Sequence, residues 1–485
     1  MNPIYIRNLN SFFDIVPKDV VEIARIFKKE SYEIFLVGGC VRDIFLDIEP
    51  HDWDMCTNAT PNQMIDICNK YQLHYVETGL QHGTLTIHLN GENYEVTTYR
   101  IDGKYSDGRH PDSVSFTTSL EEDLARRDFT INAMAIDPIT ATIFDPYGGS
   151  VHIMNKKLIA VGKPDERLEE DGLRILRALR FAIKYDLSID SSLALAIKNH
   201  NYMLSLEKGL ISRERVTEEF RKMFTCNMPV IYVFSAFRDT IATIIPEIEK
   251  TFDFNQNNKY HTHDVYTHIL HVVDNCKTTK FEIKMAALLH DIAKPDSYVE
   301  DEEGFGHFYG HPKMSADICA PMLKKQFKLS TIEYDRIMEL VEFHDMDIAE
   351  TTKSVRRALN KHGKEYMEDW LILKQADMDD HNYFDDKHMR TVSGIKTIME
   401  NIIESNMAFS LKDLDINGND LMRELQLKPS PTIGQILGIL LQKVIDDELE
   451  NRYDALLFEA RQINNSSAWQ DGFWINKDLY QSDSR

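Results

Sequence analysis

Two aspartates stand one residue apart in the stretch HDWD, Asp52 and Asp54, shortly after Gly38-Gly39-Cys40-Val41-Arg42-Asp43. In an extended strand, residues i and i+2 project to one face. Two carboxylates placed that way repel unless a cation lies between them. Mg²⁺ is commonly held through one or two carboxylates plus substrate phosphates. A pair of such ions can serve both the attacking and the leaving oxygen of a phosphoryl transfer. The Gly38-Gly39 turn would let backbone N–H groups approach a triphosphate, with Arg42 beside it. Asp-x-Asp alone reads equally well as an unremarkable surface pair, and the Gly-Gly-x-Val-Arg-Asp run upstream tips the balance towards chemistry.

Further along, Arg126-Arg127-Asp128 with Asn132 offers a guanidinium for bidentate phosphate contact and a carboxylate for a ribose hydroxyl. The run EEDGLRILRALRFA then spaces Asp171, Arg174, Arg177 and Arg180 three apart along one helix edge. Leu173, Leu176 and Leu179 share that spacing on another edge. A solvated, ion-paired face is the plain reading of such a helix. The second half of the chain is rich in His and Asp: YHTHDVYTHILH, ALLHDIAKP, FYGHPK, VEFHDMD and KQADMDDH. His290-Asp291 in an apolar helix is costly to bury without a partner. Imidazoles and carboxylates from neighbouring helices suit a divalent metal, among which Mn, Fe, Ni and Mg are not separable by residue type.

These residues need elements to carry them. YEIFLVGG reads as a buried strand stopping at a turn, CVRDIFLDI as a helix, and HDWDMCTNATP as a strand bearing both aspartates. HGTLTIHL, NYEVTTYR and SVSFTT read as further strands. Residues 163–226 are helical by pattern, FDFNQNNKYHTHD is a boundary loop, and helices follow to the end with turns at INGND and KPSPTIG. A chain of 485 residues exceeds one compact core, so three or four units are expected. No run is apolar enough to span a membrane, and the N-terminus lacks signal-peptide features. Six scattered cysteines without Cys-x-x-Cys fit a reducing cytoplasm. The net charge of −23 argues against a nucleic-acid partner. Between Arg100 and Lys222, however, acids and bases balance at about twenty each, which leaves room for a local basic face.

LVGGCVRD…HDWD, RRDFTINAMA, DPYGG, EDGLRILRALRF and ISRERVTEEF occur in that order, and together the chain resembles the class II tRNA nucleotidyltransferases, the CCA-adding enzymes and their poly(A) polymerase relatives. The resemblance covers residues 30–225. It implies an α+β, polymerase-β-like head over 1–153, then an all-α neck (154–230), an HD domain (255–385) and a tail (386–485). It implies Mg²⁺ on Asp52 and Asp54, with Glu95 as a third acidic group. A tRNA 3′-hydroxyl would attack the α-phosphate of CTP or ATP, and pyrophosphate would leave. Gly38, Gly39, Arg42, Arg127, Asp128 and Asn132 would hold the nucleotide, and Asp171 and Arg174, with Arg177 and Arg180, would read its base. The polar segment RIDGKYSDGRHPDSV is similar to the loop that helps such enzymes pass from C to A addition. The His/Asp half resembles an HD phosphohydrolase. That implies His268, His290, Asp291 and Asp377 as ligands of a divalent metal of unspecified identity, His311 and His344 for a second, and Lys294 near a phosphate. His261, His263 and His271 compete with His268 for the first position. No membrane and no obligate protein partner is expected. The rival readings are A addition alone or poly(A) tailing, an HD phosphohydrolase with a secondary head, and a non-catalytic RNA-binding protein.

Overall fold

The computed structural model describes residues 4–5, 9–80, 83–103, 113–205, 211–226, 228–258, 262–380 and 386–466. The chain forms two compact units. One holds Met1–Phe252 with Thr279–Phe281 and Ile318–Thr331, and the other holds Asp253–Thr278, Glu282–Asp317 and Ile332–Arg485. The expected boundary loop thus lies where the first unit gives way to the second.

Among the described residues before 150, the first unit carries ten strands: β1 (Ile4–Tyr5), β2 (Ile34–Val37), β3 (Met55–Thr57), β4 (His74–Gly79), β5 (Thr84–Leu89), β6 (Glu92–Thr98), β7 (Arg100–Asp102), β8 (Val114–Phe116), β9 (Ala135–Ile136) and β10 (Thr142–Phe144). Eight of them make one mixed sheet in the order β1-β10-β9-β2-β3-β6-β5-β4. β3 and β6 are parallel, whereas the other neighbours run antiparallel. β2 sits inside the sheet and buries all four residues, as its unbroken apolar run requires. β7 and β8 pair antiparallel on their own. They flank residues 104–112, so most of the polar segment compared with the C-to-A loop lies outside the described residues.

Helices follow: Pro164–Glu170, Leu173–Lys184, Ser191–His200 and Arg213–Thr225. The neck is not wholly helical, because β11 (Lys157–Leu158) and β12 (Ser188–Ile189) pair in parallel. Helix Leu173–Lys184 is buried nearly all round, Arg174 and Arg180 included, at 9% and 8% exposure. The solvated, ion-paired face expected for this helix is therefore not what forms.

Among the described residues, the second unit is helical apart from the antiparallel ribbon of β13 (Tyr298–Glu300) and β14 (Gly306–Phe308). Its last helices, Gly418–Leu425, Pro431–Ile445 and Tyr453–Asn465, pack around Leu421, Ile436, Leu440 and Leu456. The turns expected at INGND and KPSPTIG become helix starts: Asn417 caps the first of these helices in a capping box with Asp420, and Pro431 opens the second. Arg356, in helix Thr352–His362, is buried and binds this tail. Its guanidinium donates to the carbonyls of Ala408 at 2.7 and 2.9 Å and of Ile445 at 3.3 Å, and to Asp447. Replacing it strands two buried carbonyls, each costing about 1–3 kcal/mol. Arg356→Met is expected to lower the unfolding free energy of this unit by about 3 kcal/mol in guanidinium titrations, and a change under ~1 kcal/mol would show that the tail is not held this way.

Candidate active site and histidine–aspartate cluster

The strand–glycine turn–helix expected at residues 33–46 is present. Gly38 has φ +75° and ψ −125°, a conformation that side chains resist, and it caps helix Gly39–Phe45. A Cβ at Gly38 would also lie 3.2 Å from Nη1 of Arg127. Asp52 and Asp54 do not lie within a strand, because β3 starts at Met55. Asp54 is nonetheless fixed: its carbonyl accepts from the Val37 N–H at 3.0 Å and from Cys40 Sγ at 3.8 Å.

β3 and β6 pair with Met55 opposite Val96, so one step back along this parallel register Asp54 adjoins Glu95. Asp54 is open to solvent on one side. Even so, desolvation by its surroundings pushes its carboxyl up to about 6, with the charges of Glu95 and Asp52 adding and that of Arg127 opposing. A carboxylate whose ionisation is opposed by two carboxylate neighbours belongs to the kind of oxygen donor set a divalent cation takes. The residues therefore fit Mg²⁺.

Arg127 belongs to this site. Asp123, fully buried, holds Arg126 at 2.8 Å and Arg127 at 3.1 Å, and its carboxyl stays below its usual value: burial opposes this, and the two guanidinium charges outweigh it. Asp128 turns the other way. Its Oδ1 accepts from Phe129 N–H and Asn132 Nδ2, and its Oδ2 from Nε and Nη2 of Arg177 at 2.8 and 2.5 Å. It is an internal brace and not an open ribose acceptor. Arg42 is likewise engaged, donating to Asp43 and to Asn132 while its guanidinium lies over Tyr185 at 4.7 Å. Arg42, Asn132, Asp128 and Arg177 make one continuous chain joining the head to the helix that follows.

Asp171 and Arg174 do not share a helix edge. Asp171 is extended, at φ −149°, between two helices; its Oδ1 caps Leu173 N–H, and both oxygens accept from Arg215 at 3.2 and 2.7 Å. Arg174 is held by Glu170 and by the carbonyl of Arg167. Arg180 pairs with Glu219 at 2.6 Å over the ring of Phe181. Glu170, Arg215 and Glu219 were not singled out in the sequence, although EED and SRERVTEEF contain them.

In the second unit the named His and Asp residues converge. His268 Nε2 lies 3.3 Å from Asp291 and 3.2 Å from Asp377; His290 Nε2 lies 3.2 Å from Asp291; and His311 and His344 lie 3.1 and 3.6 Å from the other oxygen of Asp291. His268 is fully buried, whereas His263 and His271 are only partly so, which decides the first position among the described residues; His261 lies outside them. Asp380, not anticipated, accepts from His268 Nδ1 at 2.8 Å. Burial works against the charged imidazole of His268, yet bonds to Asp291, Asp377 and Asp380 push it up to about 10. Lys294 reaches Asp291 at 2.6 Å. A cleft of about 550 Å³ opens on this cluster, lined also by His307, Phe308 and Tyr309.

The histidine tautomers carry the argument for a metal. Nδ1 of His290, His311 and His344 each faces a backbone carbonyl, of Ala287, Phe308 and Val341, at 2.8–2.9 Å. A carbonyl only accepts, so each Nδ1 carries the proton and each neutral ring turns a lone pair on Nε2 inward. Nε2 of His311 and of His344 then oppose each other at 3.1 Å. Nε2 of His290 and Oδ1 of Asp291 are buried and make no hydrogen bond. Two ligand triads, His268–His290–Asp291 and Asp291–His311–His344, share Asp291, so the donor set fits one or two divalent cations.

The Asp128 carboxyl is held well below its usual value: its burial opposes this, and the charges of Arg177 and the bond from Asn132 outweigh it. Its stabilising contribution is therefore complete above the ordinary carboxylate range, near pH 4, and is lost progressively as pH falls from there toward the lowered value. Asp128→Asn is expected to cost about 2–3 kcal/mol at pH 7, discounted because Arg177 is one-third exposed, and to flatten the acid limb of the stability–pH curve. Urea titrations from pH 7 to pH 3 check both, and an unchanged acid limb would contradict the pairing.

Residues 34–159 match the Poly A polymerase head domain, and residues 316–460 match tRNA nucleotidyltransferase domain 2. The chain is 30% identical over 449 residues to the CCA-adding enzyme of Pediococcus pentosaceus, covering 92% of this chain and 98% of that one. It is 27% identical over 457 residues to the CCA-adding enzyme of Lactococcus lactis, covering 92% and 98%. Its fold is similar to that of the Bacillus stearothermophilus CCA-adding enzyme solved in complex with CTP, with TM-score 0.67 at 24% identity over 92% of this chain and 97% of that one. The fold is also similar to the Thermotoga maritima CCA-adding enzyme solved with tRNA, with TM-score 0.58 at 16% identity over 95% and 99%. The mixed-sheet head is thus polymerase-β-like, the region after it is mainly helical, and the chain belongs to the CCA-adding enzymes.

Proposed function

We propose that this chain builds or repairs the CCA end of tRNA without a nucleic-acid template, taking CTP and ATP and releasing pyrophosphate. The observation that carries this reading is the meeting of Asp52, Asp54 and Glu95 beside the Gly38 turn and Arg127, in a chain that belongs to the CCA-adding enzymes. Asp52 and Asp54, with Glu95, would hold Mg²⁺. Bound there, the ion would neutralise triphosphate charge and favour the ionised 3′-hydroxyl. The residues of the chain do the rest. The positive-φ turn at Gly38 presents backbone N–H groups at the start of a helix. Arg127, fixed by Asp123, offers its guanidinium to the phosphates. Asp171 and Arg174 are the candidates for reading the base. A nucleotide that uses them must compete with Arg215 and Glu170, so the exchange of partners would itself be part of selection.

The second unit supports a further activity, that of an HD phosphohydrolase using His268, His290, Asp291, His311, His344 and Asp377, with Lys294 toward a substrate phosphate. The opposed Nε2 atoms of His311 and His344 favour it. We assign the four segments 1–153, 154–230, 255–385 and 386–485 to catalysis, nucleotide selection, the HD site and RNA binding respectively. No helix among the described residues is long and apolar enough to cross a membrane, and all six cysteines are free thiols, consistent with action in the cytoplasm.

Incubation with tRNA transcripts ending at the discriminator base, at C or at CC, followed by end sequencing, tests the main reading. Completion to CCA and then a stop is expected on all three. ATP addition to the CC end alone, or long A tails, would replace it with the A-adding or poly(A) reading. Asp54→Ala is expected to slow both C and A addition by roughly a hundred- to a thousandfold with tRNA affinity retained. His290→Ala is expected to abolish metal-dependent phosphoester hydrolysis and leave nucleotide addition intact; loss of addition in the folded variant would contradict separate sites.

A further inference from the structure

A third cluster of metal-ligand type lies beside the HD cluster. His263 Nε2 is 4.0 Å from Asp380 Oδ1, His271 Nδ1 is 3.8 Å from the same oxygen, and the donor atoms of all three residues lie within 4.8 Å of one another. These separations are too long for hydrogen bonds. They match donors around a common ion: ligands about 2.0–2.2 Å from one metal stand up to roughly 4.3 Å apart. Neither histidine is therefore in place as a hydrogen-bond partner of Asp380, and their separations of 4.0 and 3.8 Å from its Oδ1 fall within the range of donors that share a cation.

The positions are fixed by the fold. Gln256 donates to the His263 carbonyl at 3.3 Å, and Asp264 caps helix Val265–Asn275 through the Thr267 N–H at 2.8 Å. His271 stands one turn beyond His268 on that helix. The His263 and His271 rings stack at 4.7 Å and 26°, each with one nitrogen near Asp380 Oδ1. Asp380 follows helix Lys364–Met378, and its side chain is 8% exposed. One of its oxygens is taken by His268 Nδ1, and the other faces the two histidines. The histidine side chains are 39% and 36% exposed, so an ion could enter from solvent.

We propose that His263, His271 and Asp380 form an auxiliary site for a first-row transition metal such as Zn²⁺, distinct from the HD cluster and joined to it through Asp380. Two imidazoles and one carboxylate are the three-ligand set that leaves zinc a position for water. Because Asp380 also orients His268, the auxiliary ion would sit in the shell that fixes the tautomer of an HD ligand.

The test uses the full-length, tag-free chain, equilibrated against a Zn²⁺ buffer at micromolar free ion and analysed by inductively coupled plasma mass spectrometry. His263→Gln and His271→Gln are partly exposed substitutions, and thermal melts verify folding. Each is expected to lower bound zinc by one ion per chain relative to the parent. An unchanged zinc content in both variants would overturn the auxiliary site. Asp291→Asn separates this from the HD reading: it is expected to remove zinc from the HD cluster and to leave the one ion that His271→Gln removes. Should the parent hold a single ion that Asp291→Asn abolishes and His271→Gln does not, the HD cluster stands and the auxiliary site falls. Should His271→Gln alone abolish it, the reverse holds.

Discussion

A charge taken out of water must be met by an opposite charge or by hydrogen bonds, and the first unit is organised around that requirement. Helix Leu173–Lys184 buries Arg174 and Arg180 and half-buries Arg177 among leucines. Each guanidinium then demands a carboxylate from elsewhere: Glu170 for Arg174, Asp128 for Arg177 and Glu219 for Arg180. Replacing such pairs by apolar side chains of similar volume often costs little, so their worth here lies in specifying position more than in adding stability. Asp128, held from one side by Arg177 and from the other by Asn132, sets the course of the backbone just after Arg126 and Arg127. Asp123 then sets the side chain of Arg127. The guanidinium that faces the glycine turn is thus placed by carboxylates, and these in turn by the helix that follows the head.

The same requirement, with its sign reversed, shapes the two metal candidates. Asp52, Asp54 and Glu95 crowd one another at an open edge, where a polyanionic substrate could arrive with its own cations. The histidine–aspartate cluster is buried at the floor of its cleft, so its carboxylates are answered from within. Lys294 meets Asp291, Lys374 approaches Asp377 at 4.0 Å, and His268 is driven toward its charged form. An open set suits an ion shared with a substrate. A buried set, with Nδ1 protons anchored on carbonyls, suits a resident ion.

Much of this was legible from residue types. The strand, glycine turn and helix at residues 34–45 follow from an unbroken apolar run and a Gly-Gly pair, and the convergence of His268, His290, Asp291, His311 and His344 follows from His and Asp recurring on successive helices. The misreadings have physical causes. HDWD alternates like a strand, yet Asp54 joins β2 through one backbone bond only, so β3 starts after it. Arginines three apart on a leucine-rich helix imitate an amphipathic surface, because the partners of Arg177 and Arg180 are 49 and 39 residues away in sequence. Asp171 reads as helical until Gly172 and the Arg215 pair are seen to hold it extended. Asp380 escaped notice because DMDDH offers three aspartates and the pattern of spacing calls for one.

The pairings also bear on how an acidic protein can meet RNA. A basic count alone would place many guanidiniums between Arg100 and Lys222 at the service of phosphates. Arg126, Arg174, Arg177, Arg180 and Arg215 are instead held by Asp123, Glu170, Asp128, Glu219 and Asp171. What remains open among the described residues of that region is mainly lysine: Lys156, Lys157, Lys163 and Lys198 are exposed, and the pairs of Lys156 with Asp186 and Lys163 with Glu166 lie in solvent, where an ion pair is worth little. A few exchangeable lysines give counterion release from only a few phosphates. Affinity for a folded RNA must then come largely from shape and from contacts at its end, which is the kind of recognition that net charge does not measure.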